Sequence, residues 1–195
     1  VRPPRSNTES IAAFLRAALE GAGLHVAEVE AQTWKEADPD LPAEATAAVA
    51  ACDVVVVVTP VYLDTLPAPA LRMLGRLRDA LASRPAGRRI ACYAVAHSGY
   101  LEPAHKGPAL ETCGHFARAA GLDWQGGLGF GGTSPIAGRP LEALGWMTKN
   151  LRKCLGLLAG TIASGEPIPP RLAKSAGRSP IPLPLWLLVP LLNRM

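Results

Sequence analysis

The chain has 195 residues, enough for one domain with a substantial core. Hydrophobic residues make up 49% of it and charged residues 18%, which excludes a disordered chain and favours a compact α/β or α protein. The net charge of +4 is modest and the basic residues are scattered, so the composition disfavours nucleic-acid binding and we expect no nucleic-acid partner.

The cysteines indicate neither a metal site nor a secreted disulfide framework. Cys52, Cys92, Cys113 and Cys154 are far apart and none belongs to a CxxC pair. The N-terminal residues do not resemble a signal peptide, so we expect a cytoplasmic protein with reduced thiols and no bound metal.

The first predicted element is a helix that starts near Thr8. Its apolar residues recur at spacings of three and four, at Ile11, Phe14, Leu15, Ala18 and Leu19. Gly21 and Gly23 end the helix. Residues 24–30 then alternate between apolar and polar side chains, which predicts a half-buried edge strand.

The remaining elements alternate between helix and strand. Residues 43–51 form a short helix, and the five valines between Asp53 and Thr59 predict a strand buried on both faces, typical of the centre of a parallel sheet. The later predicted elements are a helix at 70–82 with Leu71, Leu74, Leu77 and Leu81 facing inward, a strand at 88–97, a helix at 108–120, a strand at 122–132 and a helix at 141–164. This order predicts a doubly wound parallel α/β sheet over residues 1–164.

Residues 165–195 are predicted to be a proline-rich apolar extension. Its most apolar part, residues 181–192, is interrupted by Pro182, Pro184 and Pro190 and is too short to span a membrane. We expect the extension to pack on the domain or on a dimer partner, because an exposed apolar segment of this size would be adhesive. Contact with a membrane surface and disorder are the alternatives.

Three segments fall where ligands bind in open α/β sheets, at the carboxyl ends of strands. RSNTES (5–10) offers hydroxyls, an amide and main-chain N–H groups at a helix N-terminus, which suits a phosphate, although an ordinary N-cap explains the same residues. TPVYLDTLP (59–67) offers an aromatic face on a stiff turn, and HSGYLEP (97–103) allows close backbone approach. A rigid turn and a structural histidine are the alternatives for these two segments.

These three segments together resemble the flavodoxin-like NAD(P)H-dependent FMN reductases and quinone reductases. Members carry a loop with G-S-x-R and then S-N-T, a second loop T-P-x-Y-x-x-x-x-P, and a third of small and aromatic residues. SNT stands here at 6–8, Arg2 falls where the loop arginine would, and TPVYLDTLP matches closely. The likeness extends from Val1 to about Gly132, and the late helix and proline-rich tail look like those of the longer members.

The resemblance implies a flavoprotein that takes a hydride from NAD(P)H onto FMN and then passes electrons to a quinone or similar small acceptor. It requires no catalytic side chain, because the flavin carries the chemistry. It also implies a homodimer or homotetramer. The cofactor-binding residues that it implies are Arg5, Ser6, Asn7, Thr8, Pro60, Val61, Tyr62, Leu63, Ser98, Gly99 and Tyr100. The alternative is a flavin-binding or electron-carrier protein without NAD(P)H turnover.

Two further segments, the glycine-rich residues 126–132 and the start of the chain, affect where we expect the flavin to bind. GGLGFGG (126–132) follows a late strand rather than the first one, so we expect its glycines to let a ligand or partner approach, not to bind a dinucleotide. VRPPRSNTES resembles the second half of a phosphate loop, which leads us to expect an upstream central strand and a start assigned too late. A chain without that strand would leave the neighbouring strands unpaired and could lack FMN binding.

Overall fold

The computed structural model describes residues 6–31, 43–82 and 89–178. Within these ranges, helices flank a sheet of parallel strands. The helices and strands in chain order are α1 (Asn7–Gly21), α2 (Ala43–Ala51), β1 (Val54–Pro60), α3 (Ala68–Ala82), β2 (Ala91–His97), α4 (Gly107–Ala119), β3 (Asp123–Phe130), α5 (Lys149–Ala163) and α6 (Pro170–Ala176). Short 3-10 helices cover Pro103–Lys106, Ser134–Ile136 and Leu141–Thr148.

The sheet has the order β1-β2-β3, and both pairings are parallel. In this register the last residues of the strands, Pro60, His97 and Phe130, lie side by side. Helix α3 connects β1 to β2 and helix α4 connects β2 to β3, as parallel pairing requires. All three carboxyl ends therefore meet at one edge of the sheet.

Two hydrophobic cores cover the two faces of the sheet, which confirms the predicted doubly wound architecture. Tyr93 and Val95 of β2 point to the face packed against α1, α5 and α6. Cys92, Ala94 and Ala96 point to the other face, packed against helices α2 to α4. The strand β2 is almost completely buried because helices cover both of its faces and a strand lies at each edge.

Two strand predictions are wrong. Residues 24–30 form no strand in the described structure, although Leu24 and Val26 pack against the core. Strand β1 lies at an edge of the described sheet rather than at its centre, and its five valines are only partly buried. Strand β1 is only partly buried because no described strand lies on its outer side, and residues 24–30 are not paired with any described strand.

The helix predictions also need two corrections. Leu74 and Leu81 of α3 are buried as expected, but Leu71 is exposed. The predicted long helix at 141–164 is divided, because Gly145 has a non-helical backbone (φ 54°, ψ −123°) and the regular α5 begins only at Lys149.

Two glycines of β3, Gly127 and Gly129, let α4 and the 3-10 turn before it approach the strand. A Cβ added at Gly129 would lie 2.9 Å from Lys106 Cβ, and one at Gly127 would meet Leu110 of α4. For Gly127 and Gly129 the expectation that the glycines admit a ligand or partner is therefore wrong, because α4 and the turn before it already occupy that space.

The described start of the predicted extension packs on the domain. Ile168 N–H donates to Gln125 C=O at 2.8 Å, beside β3, and Leu172 and Ala176 of α6 are buried in the core next to α5. The apolar segment 181–192 lies outside the described residues. None of the helices in the described ranges is long and apolar enough to cross a membrane.

Candidate functional site

The three predicted loops meet at the carboxyl edge of the sheet. Val61 N–H donates to His97 C=O at 2.8 Å, which joins the second loop to the third. A fourth segment, residues 131–139, closes the group: Ser98 N–H donates to Phe130 C=O and Thr133 N–H donates to Ser98 C=O, each at 3.0 Å. The sequence analysis singled out only the start of this segment, Gly131 and Gly132 of GGLGFGG, and missed residues 133–139.

In the first loop, Ser6 is the N-cap of α1. Its Oγ accepts from Glu9 N–H at 3.1 Å, and its own N–H donates to Glu9 Oε2 at 3.2 Å, which forms a capping box. The N-cap interpretation of the segment is therefore correct for Ser6. Arg5 lies outside the described residues.

The side chains of Asn7 and Thr8 connect α1 to the rest of the site. Asn7 Nδ2 donates to Thr133 C=O, and Asn7 Oδ1 accepts from Gly138 N–H, both at 3.0 Å. The Thr8 hydroxyl lies 2.9 Å from His97 Nε2. Because these side chains already have protein partners, the groups that remain for an anion are the main-chain N–H groups of Asn7 and Thr8. Neither has a partner among the described residues, and both lie at the positive end of a 15-residue helix.

His97 is a buried polar residue at the centre of the four segments. Its Nδ1 lies 3.1 Å from Thr133 Oγ1, while its Nε2 faces Thr8. Burial lowers the pKa of His97 from 6.5 to about 4, since its ring contacts hydroxyls rather than a carboxylate. The imidazole is therefore neutral at physiological pH.

In the second loop, the chain makes a tight turn that exposes two side chains. Tyr62 and Thr65 exchange N–H to C=O bonds at 3.0 and 3.1 Å, while Leu63 and Asp64 take positive φ angles of 49° and 64°. A leucine at positive φ is strained, and such strain is common at functional sites. Val61 is buried beneath the turn, whereas Tyr62 is 64% exposed and Leu63 is also exposed.

In the third loop, Ser98 and Gly99 place Tyr100 on the surface. Ser98 is buried and its Oγ donates to Tyr100 C=O at 3.3 Å. A side chain at Gly99 would collide with the Ser134 hydroxyl. Tyr100 is 57% exposed, and its ring centroid lies 5.3 Å from that of His105.

The sequence analysis missed three ionisable residues that hold the second and third loops. Lys106 is only 1% exposed, and its Nζ donates to the carbonyls of Tyr100, at 3.1 Å, and of Glu102. Burial lowers the pKa of Lys106, although nearby Glu102 and Asp64 oppose the shift. His105 Nδ1 pairs with Asp64 and so links the two loops. No local pattern marks these residues, because their partners come from loop backbone and from a distant turn.

The site fits a ligand that combines an anionic group with a flat aromatic ring. The N–H groups of Asn7 and Thr8, which have no partner in the described part of the chain, suit the anion, and the exposed faces of Tyr62 and Tyr100 suit the ring. The residues present therefore fit FMN, whose phosphate and isoalloxazine have this chemistry. Among the described residues, no group of His, Cys, Asp and Glu side chains could hold a metal ion.

Comparison with known proteins identifies the family. The model of the NADPH-dependent FMN reductase family matches residues 2–106, a little over half of the chain. The chain belongs to this family. No curated protein matches the sequence.

Three solved structures are similar to this chain, one of them with a TM-score above 0.5. The structure of RosB with a bound intermediate, 8-demethyl-8-formylriboflavin-5'-phosphate, aligns with a TM-score of 0.54 at 13% sequence identity. The alignment covers 100% of this chain and 82% of the RosB chain. An azoreductase from Bacillus anthracis strain Sterne has a TM-score of 0.48 at 15% identity, covering 83% of this chain and 92% of its own. The azoreductase AzrA aligns with a TM-score of 0.44 at 14% sequence identity, and the alignment covers 83% of this chain and 93% of the AzrA chain.

The fold is thus the flavodoxin-like α/β fold, with the described sheet flanked by helices. Membership of the family implies FMN as the cofactor and NAD(P)H as the co-substrate. The protein is a flavin-dependent oxidoreductase by family.

Proposed function

We propose that this protein oxidises NAD(P)H through bound FMN and delivers the electrons to a quinone or a similar small organic acceptor. The observation that carries the proposal is the convergence of the three family loops at one edge of the sheet, linked by the bonds around His97 and Ser98. When bound, FMN supplies the redox chemistry, since its isoalloxazine ring can take up a hydride and release electrons to a second substrate.

The start of α1 holds the phosphate in this proposal. The N–H groups of Asn7 and Thr8 point along the helix axis towards the anion, and the helix dipole adds a favourable charge interaction. Arg5 and Ser6 belong to the same segment, with Ser6 acting through its cap of the helix. The expected contribution of the protein here is binding and orientation.

The second and third loops hold the ring. Pro60 to Leu63 and Ser98 to Tyr100 would contact the ring, and the exposed side chains of Tyr62 and Tyr100 would offer it apolar faces. Lys106 supports the third loop from below through the carbonyls of Tyr100 and Glu102. A rigid support of this kind lets the loops orient a ring with little loss of conformational entropy on binding.

The test is spectroscopic and kinetic. Purified protein is incubated with FMN, freed of excess flavin and examined for flavin absorbance, and NADH and NADPH oxidation is then followed with and without a benzoquinone. We expect bound FMN and quinone-dependent oxidation of at least one nicotinamide. Protein that binds FMN without oxidising either nicotinamide is a carrier, and protein that remains colourless contradicts the whole proposal.

A further inference from the structure

The hydrogen bonds of His97 have a definite direction. Thr133 Oγ1 lies 3.0 Å from Ser98 C=O, which can only accept, so the Thr133 hydroxyl proton points to that carbonyl. The same oxygen must then accept from His97 Nδ1, 3.1 Å away. The buried imidazole is neutral, so its proton is on Nδ1 and its Nε2 is an acceptor.

It follows that the Thr8 hydroxyl donates to His97 Nε2 across 2.9 Å. A hydroxyl has one proton, and here that proton is already used. Thr8 Oγ1 therefore has only lone pairs to present to an anion, so it does not help a phosphate by donating to it. Its contribution has to be indirect.

The bond to His97 is one of three side-chain bonds that tie the start of α1 to the sheet edge. The other two are made by Asn7, to Thr133 C=O and from Gly138 N–H. Thr133 takes part in both sets, because its carbonyl serves Asn7 and its hydroxyl serves His97. Helix α1, β2 and the segment after β3 are thereby held in one arrangement.

We propose that His97 is a positioning residue for flavin phosphate binding, which holds the N–H groups at the start of α1 in place through Thr8. This inference rests on the proposed function. The side chain of His97 is 4% exposed, and its polar partners among the described residues are the hydroxyls of Thr8 and Thr133. Its main-chain carbonyl bonds to Val61 of the second loop, but a side-chain substitution leaves that bond in place, so the imidazole acts on the phosphate and not on the ring. His97 therefore controls the part of the affinity for FMN that depends on the phosphate.

Two substitutions at His97 separate the hydrogen bond of Nε2 from that of Nδ1. In His97→Gln the amide oxygen can reach the position of Nε2 and accept from Thr8. In His97→Asn the amide nitrogen can reach the position of Nδ1 and donate to Thr133, while the bond to Thr8 is lost. Thr8→Val removes the same bond from the other partner, with a side chain of similar size at a half-buried position.

The experiment measures dissociation constants for FMN and for riboflavin, which lacks the phosphate, by flavin fluorescence. We expect His97→Asn and Thr8→Val each to weaken FMN binding roughly threefold to tenfold, the loss of one net hydrogen bond, with riboflavin unchanged. The variant that combines His97→Asn with Thr8→Val should bind FMN no more weakly than either single variant, because both remove the same bond. The dissociation constant of His97→Gln for FMN should remain close to that of the wild type.

Several outcomes overturn the proposal. Equal losses for FMN and riboflavin would mean that His97 only stabilises the fold. Unchanged or tighter FMN binding in His97→Asn would mean that Thr8 serves the phosphate directly once it is released. A wild-type protein that binds both flavins equally well rejects this inference but keeps the proposed function, whereas one that binds neither rejects both.

Discussion

At the scale of single residues, the site depends on buried polar groups whose partners come from other loops. His97 and Lys106 are both nearly inaccessible to water, and each is bonded to segments that are distant in sequence or part of an adjacent loop. A buried polar group that loses its partner is costly, so these residues hold their loops in one arrangement.

The burial of His97 predicts a pH dependence of stability. Its pKa is about 4 in the folded protein and 6.5 when unfolded, so between these values the unfolded chain binds a proton that the folded chain does not. The contribution of neutral His97 to the free energy of unfolding, about 3 kcal/mol, is fully present above pH 6.5 and is lost as the pH falls through 4.

Urea unfolding at pH 7, 5.5 and 4.5 measures this loss. The matched control is His97→Gln, which cannot titrate and should show a flatter profile at the same pH values. Identical pH profiles for the two proteins would show that another group causes the acid sensitivity.

Tyr100 predicts a second residue-scale effect, on the ring rather than on the phosphate. Its exposed face should stack on the flavin, so Tyr100→Ala should weaken FMN and riboflavin binding equally, by about threefold to tenfold. Tyr100→Phe keeps the face and should bind as the wild type does. Fluorescence titration with both flavins checks this, and a loss restricted to FMN would contradict a ring contact.

At the scale of the elements, glycine has opposite roles in β3 and α5. Gly129 faces Lys106 so closely that a methyl group there must move the turn before α4, whereas Gly156 lies inside α5 with nothing within 4 Å of an added Cβ. Gly129→Ala should therefore lower the free energy of unfolding by about 1–3 kcal/mol. Gly156→Ala should raise it by up to about 1 kcal/mol through helix propensity.

Chemical denaturation of the two variants beside the wild type tests the pair. Because each adds one methyl group, they are matched in chemistry and differ only in surroundings. A Gly129→Ala variant as stable as the wild type would argue against the described packing of α4 and the turn before it on β3. A destabilised Gly156→Ala variant would argue against the open surroundings of Gly156 in α5.

The elements also show how far sequence patterns extend. The period of the apolar residues was enough to predict α1, and the helix at 43–51 has the predicted bounds, since a helix is held by bonds within its own segment. Residues 24–30 have an equally regular pattern of period two, yet they form no strand. The difference is physical, because a strand requires a partner that its own residues do not specify.

At the scale of the whole molecule, β1 is an outer strand of the described sheet and has one edge without a described partner. Strand β1 bonds to β2 through alternate residues, as the bonds from Ala91 N–H to Asp53 C=O and from Val61 N–H to His97 C=O show. The N–H groups of Val54, Val56 and Val58 therefore point away from β2, where no strand among the described residues accepts them.

Amide hydrogen exchange should reveal this alternation. We expect the N–H groups of Val55 and Val57 to exchange slowly and those of Val56 and Val58 to exchange faster, with β2 the most protected strand. Residue-resolved exchange by NMR measures it. Uniform protection along β1 would indicate that another strand covers its outer edge.

The candidate site could be predicted in part. The loops at 6–8, 60–63 and 98–100 were visible because each follows or precedes an element that the sequence shows directly. Lys106 and Thr133 were not, since a lysine at a helix start and a threonine in a loop have no distinguishing local pattern. Their roles arise only from the carbonyls and the imidazole that the fold brings next to them.

By itself, the sequence determined the helices α1 to α4, the strands β1 to β3, the doubly wound class and the family loops, because these follow from the residue pattern within each segment and from the order of the segments along the chain. Only the tertiary structure decided that β1 is an outer strand of the described sheet, that Gly127 and Gly129 face α4 and the turn before it, and that the side chains of Asn7 and Thr8 bind protein groups. These properties depend on which segments become neighbours in space, and in this chain the deciding neighbours are separated by tens to more than a hundred residues.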